Sequence, residues 1–283
     1  MMTTPETTFL EAMLRRDRAI VFGGLAVVIG VAWAWLLVGP WGPFGTSQGM
    51  DGMAMPTPNA GAGSGMPGMP GMVMQPAAWT PLYAMLVLVM WWVMMVAMML
   101  PSATPTLLLF ARINRKERLA GRPYIPTGLF AAGYLLVWGG FGVLATGLQW
   151  ALHRADLLSP NMSTTSVWIG SAILLAAGLW QLTPIKSICL RNCRSPLGTL
   201  AQGWLPGRLG AIRMGATHGA YCFGCCWLLM GLLFFGGVMN LFWIAGLAAF
   251  ILLEKTLPIG HWFGRAIGVG MVAWGVILLA QLA

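Results

Sequence analysis

Twenty consecutive residues without a charge, Ala19–Val38, set the first limit on this chain. A helix of that length covers about 30 Å, the apolar thickness of a bilayer. The pattern then recurs, with uncharged runs at residues 82–100, 126–150, 165–182, 214–235, 241–253 and 266–282. In lipid a run of this kind has to satisfy its own backbone N–H and C=O groups, which selects the α-helix. The expectation is an all-α fold: a polytopic transmembrane helix bundle of about seven spans. Only 8% of the residues are charged, against about 25% in an average soluble domain. No small-x-small cleavage pattern follows the first run, so it reads as a retained span rather than a removed signal.

Charge placement orients the bundle. With the N-terminus in the cytoplasm, the basic residues at 15–18, 112–122, 186–213, 255 and 265 all fall inside. Arg154 is the single exception among the 16 Lys and Arg. That is the positive-inside pattern of a bacterial inner (cytoplasmic) membrane protein. It accounts for the net charge of +9 through short loops facing anionic lipid, and no basic stripe interleaved with aromatics points to nucleic acid.

Three parts follow. Residues 1–39 are a tail and the first span; 40–81 form an extracytoplasmic linker; 82–283 form a six-helix core. The linker has no Lys or Arg and is rich in Gly, Pro and Met, with MDGMAM at 50–55 and GMPGMPGM at 65–72. Such a composition builds no core. Its methionines are either incidental or a thioether sink for Cu(I), since thioethers are soft ligands that need no deprotonation; Met50, Met53 and Met55 are the candidates. The second span continues the theme in MWWVMMVAMMLP at 90–101. Met94 and Met98 fall one helical turn apart and are candidates for a copper relay, against ordinary packing by a flexible side chain. Pro101 and Pro105 are expected to kink or end that helix.

The chemistry concentrates in HGAYCFGCCWLLM at 218–230. On a helix His218, Cys222, Cys225 and Cys226 fall at i, i+4, i+7 and i+8, one stripe. Thiolates and an imidazole suit Cu(I), with zinc the other candidate. Cys226 projects about 100° from Cys225, so Cys222 with Cys225 is the leading pair. Cys189 and Cys193, four apart in TPIKSICLRNCRSP at 183–196, form a second cluster at the same membrane face. Cysteine also packs as a small apolar residue, and His218 is either a ligand or a helix–helix hydrogen-bond partner. Glu254 and Lys255 read as an interfacial ion pair. Five thiols on the reducing side are better read as free or metal-bound than as disulfides.

The segments WWVMMVAMMLP, TPIKSICLRNCRSP, HGAYCFGCCWLLM, GGVMNLFWI at 236–244 and LLEK at 252–255 resemble a bacterial family of predicted metal-binding integral membrane proteins. The resemblance runs from about residue 82 to 282. It implies a multi-span protein with a metal site at the cysteines, and it carries no reaction. The copper assignment leans on this chain's own methionines.

No G-x-S-x-G elbow, paired carboxylates, H-E-x-x-H or Walker loop is present, so nothing points to hydrolysis or ATP use. The sequence supports copper capture, transfer or delivery, with the lipid bilayer as setting and a metallochaperone or a metalloenzyme under assembly as partner. The rival readings are a thiol oxidoreductase working through Cys222-x-x-Cys225, and a structural or assembly subunit.

Overall fold

The computed structural model describes residues 5–39, 79–121, 125–159, 162–195 and 204–281. Apart from an isolated bridge between Leu158 and Thr164, these residues form helices and their connections. Helix α1 is Pro5–Val38, α2 is Pro81–Leu119, α3 is Thr127–Arg154, α4 is Val167–Leu182 and α5 is Pro184–Arg194. Then come α6 at Gly207–Gly231, the single turn α7 at Leu233–Gly236, α8 at Leu241–Thr256 and α9 at Gly260–Ala280. Short polar side chains cap the starts of α2, α4, α5 and α8. Thr80 accepts from the Tyr83 N–H at 3.2 Å, Thr183 from Lys186 at 3.3 Å and Asn240 from Trp243 at 3.2 Å, each covering a donor that the helix leaves open.

Two sequence expectations are corrected. Residues 112–118, read as a loop, belong to α2, which runs for 39 residues straight through Pro101 and Pro105. The Ser102 and Thr104 hydroxyls in that stretch donate to the carbonyls of Met99 (2.8 Å) and Leu100 (3.0 Å). These bonds are local, within one turn of each donor, and lie in the stretch that holds both prolines. The segment after Thr183, also read as a loop, is helix α5. Pro184 holds Thr183 in extended backbone, as a residue before proline must be. The chain therefore turns by 67° between α4 and α5.

Among the described residues five helices are long and apolar enough to cross a membrane, or six if the bent α4–α5 pair counts as one span. Helix α8 has 16 residues, about 24 Å, short of an apolar core of roughly 30 Å. The seven-span count depends on it. Apolar side chains face outward, as on Ile20, Val27, Leu144 and Phe242, while polar ones such as Asn114, Gln149, Gln181 and Lys186 are inside. That inversion is compatible with a lipid-exposed surface.

Backbone contact fixes the frame around the site. Helices α3 and α6 meet at Gly133 and Gly215: a Cβ on either would lie 2.0 Å from a carbonyl oxygen, Ile212's or Phe130's. Helices α4 and α9 meet likewise at Gly178 and Gly268. Small residues at these positions allow the close approach that drives helix association in apolar surroundings. The α3–α6 contact brings Tyr134 of α3 against the stripe on α6.

Candidate metal centre

Helix α6 buries His218, Cys222, Cys225 and Cys226 together, as their spacing requires. Helix α5 buries Lys186, Leu190 and Cys193 at i, i+4 and i+7, and α2 buries Met90, Met94, Met95, Met98 and Met99. These three faces converge, so the two cysteine clusters do meet: α5 packs on α6 and brings the Cys193 side chain close to those of Cys222 and Cys225. The Cys226 thiol lies 3.9 Å from the Met99 thioether.

Cys222 is the hub. Lys255 of α8 donates to its sulfur at 2.9 Å and to the Ser102 hydroxyl at 3.2 Å. The Tyr134 hydroxyl lies 3.0 Å from the same sulfur and donates to the Met99 carbonyl at 3.1 Å. Tyrosine has one hydroxyl proton. It serves the Met99 carbonyl when Cys222 is a thiol donating to the tyrosine oxygen. It serves sulfur when Cys222 is a thiolate, with the Lys255 ammonium as countercharge. The surroundings of Cys222 therefore accommodate both charge states.

The other two thiols of α6 turn inward on the helix. Cys225 donates to the Cys222 carbonyl at 3.0 Å and Cys226 to the same oxygen at 2.8 Å. Cys226 thus belongs to the cluster as fully as Cys225. Their Cβ directions diverge, yet both lie one turn beyond Cys222 and reach the same carbonyl. With these thiols engaged on the backbone, the described residues contain no group of three or more His, Cys, Asp and Glu already arranged around one point.

His218 sits one turn before Cys222 and packs against the rings of Phe130 and Tyr134, with centroids 6.1 and 5.8 Å away. Met94 and Met98 are fully buried on α2, but the methionine that touches a thiol is Met99. Met50, Met53 and Met55 lie outside the described residues.

Glu254 and Lys255 do not pair. Consecutive helical residues point about 100° apart. Glu254 forms a buried ion pair with Lys186, and Lys255 turns to Cys222. Two charges counted as cytoplasmic loop residues are interior: Lys186 is 2% exposed and Lys255 9%. The positive-inside tally loses both. Sequence reasoning missed Tyr134 and Lys255 as cysteine neighbours, and Ser102 as a partner of Lys255. The available signal was LLEK, two charges closing an apolar run, where a charge in lipid needs a partner.

Four buried thiols, a thioether, a cation and a phenol gather around one helix face, and the sulfurs among them are donors of the kind soft metals take. The family model PpoB2, copper chaperone, matches residues 88–278, and the chain belongs to that family. The matched span contains all five cysteines, Tyr134, Met99 and Lys255, while α1 and the linker precede it. No curated protein and no solved structure matches the chain.

Proposed function

We propose that the chain is a membrane-embedded copper chaperone. It carries Cu(I) as cargo on Cys193, Cys222, Cys225, Cys226 and Met99, and delivers it to a metalloenzyme under assembly. The observation that carries this reading is the convergence of these sulfurs from three helices. Thiolates and a thioether are the donors a soft monovalent ion prefers, and an all-sulfur set favours Cu(I) over harder ions. Loading requires Cys225 and Cys226 to release the Cys222 carbonyl. A rotation about χ1 does this, a move between staggered wells that leaves the backbone in place. Cys189 lies outside this resting set. His218 orients Tyr134 by packing rather than binding metal.

In this reading the N-terminus is cytoplasmic, α8 completes a seventh crossing, and the chain resides in a bacterial inner membrane. Residues 40–81, with Met50, Met53 and Met55, collect copper outside, and the α2 methionines, Met94 and Met98 among them, link that side to the cluster. The test is anaerobic loading of the purified full-length protein with Cu(I), followed by metal analysis and X-ray absorption. The expected result is bound copper with a sulfur-only coordination shell, lost in Cys222→Ser. Unchanged copper in that variant, or a reversible Cys222–Cys225 disulfide in place of bound metal, refutes the assignment.

A further inference from the structure

We infer that Cys189 is the exchange port of the sulfur cluster: the thiol through which Cu(I) passes between the buried site and a thiolate-bearing carrier. This rests on the copper reading above and goes beyond it by naming the route.

The resting ligands are sealed. Cys193 is 9% exposed, Cys222 and Cys225 1%, Cys226 and Met99 0%. Ligand exchange needs a donor that an outside ligand can meet, and all five of these residues are buried. Cys189 is the half-buried cysteine of the five.

Its position follows from α5. The inner stripe Lys186, Leu190 and Cys193 turns α5 into a cover over the cluster. Thr183 caps the start of this helix, and Arg194 fastens its end by donating to the carbonyls of Leu257 and Pro258. Cys189 is one turn before Cys193, at the edge of the stripe, where the cover meets the outside. Its sulfur rests against α6 at the one residue between Cys222 and Cys226 that lacks a side chain: a Cβ on Gly224 would lie 2.9 Å from it. Glycine inside a helix is destabilising relative to alanine. At this position it leaves room for the Cys189 sulfur against the α6 backbone, one residue before Cys225. Trp180 holds the spot by donating to the Gly224 carbonyl at 3.2 Å.

Transfer is two ligand exchanges, with copper monovalent throughout and no electron moved. A Cu–S bond to Cys189 forms as the Cu–S bond to the carrier breaks, and the Cys189 proton goes to the carrier's released thiolate. A Cu–S bond to Cys225 then forms as the bond to Cys189 breaks, and the Cys225 proton goes to Cys189. Delivery is the reverse sequence.

The experiment uses the full-length protein in detergent without oxygen, loaded with Cu(I), with a charged water-soluble Cu(I) chelator as acceptor. Cys189→Ser is expected to hold the wild-type amount of copper at equilibrium and to release it at least tenfold more slowly. Cys189→Met, which restores a soft donor, recovers most of the rate. A charged maleimide labels Cys189 ahead of the other cysteines. Wild-type release from Cys189→Ser, or labelling of Cys193 or Cys222 first, overturns the port while leaving the copper site standing. Failure of the wild-type protein to bind Cu(I) overturns both.

Discussion

Lys255→Met separates the electrostatic contribution to copper binding from the packing contribution. Lys255 is 9% exposed and its ammonium lies 2.9 Å from the Cys222 sulfur. At an effective dielectric of about 20 the attraction of an ammonium for a thiolate across that distance is about 6 kcal/mol. Most of it offsets the desolvation of both ions, and deleting one partner of a buried pair costs about 3–5 kcal/mol. With about 3 kcal/mol lost from the thiolate-bound state, the Kd for Cu(I) rises roughly 100-fold. The metal-free fold responds differently. There Cys222 is able to stand as a neutral thiol, and methionine fills the lysine's volume without a buried charge, so stability holds or rises. Competition against a Cu(I) chelator series reads the affinity, and thermal unfolding in detergent reads the fold. An unchanged Kd in a folded variant refutes the countercharge role, and a parallel loss of stability and affinity shows that Lys255 acts through the scaffold.

Met99→Leu conserves volume, so it should cost under about 1.5 kcal/mol of stability, yet remove one sulfur from the copper shell seen by X-ray absorption; Met94→Leu should leave that shell unchanged. Glu254→Gln strands the Lys186 charge, which is 2% exposed, and should destabilise the metal-free protein by about 3–5 kcal/mol, read as a drop in unfolding midpoint. Gly215→Ala puts a Cβ 2.0 Å from the Phe130 carbonyl oxygen; it should spread α3 from α6 and lower both midpoint and copper content, whereas Gly140→Ala, where a Cβ meets nothing within 4 Å, should be neutral or stabilising. Replacing Met50, Met53 and Met55 together by Leu should leave copper binding by the purified protein intact and reduce copper acquisition by cells at low supply, measured as cell-associated metal.

Much of the frame was legible because its physics is local. Apolar run length located α1, α2, α3, α6 and α9, and helical spacing placed Cys222, Cys225 and Cys226 on one buried face. What escaped lay where local signals mislead or where partners are distant in sequence. Two prolines upstream of 112–118 argue for a stop, yet α2 continues through them. Cys226 was discounted on Cβ direction, although a thiol can swing toward a shared carbonyl. Glu254 and Lys255 read as a pair because they are neighbours in the chain, when helical geometry points them about 100° apart on α8.

That divergence is what assembles the site. Cysteines attract one another weakly, and nothing in thiol chemistry would draw α5 onto α6. The charged residues of α8 do. Glu254 holds Lys186 and thereby ties α5 to α8; Lys255, the next residue, hydrogen-bonds Cys222 and orients α6 on α8. The Glu254–Lys186 pair is buried, where the attraction between opposite charges is strong and an unpaired partner is costly; the Lys255 contact becomes ionic when Cys222 is a thiolate. Helix α8 is therefore a two-sided clamp whose successive charges fix Cys193 against Cys222 and Cys225. Exchanging the two residues, as Glu254→Lys with Lys255→Glu, keeps composition and net charge but sets lysine against Lys186 and a carboxylate against Cys222. The expected outcome is a protein that inserts in the membrane yet loses the Cys193–Cys222 proximity, read as failure of a short bis-maleimide to cross-link these two positions. Cross-linking at the wild-type yield would mean that apolar packing of Leu190 and its neighbours, rather than charge, seats the cover on the cluster.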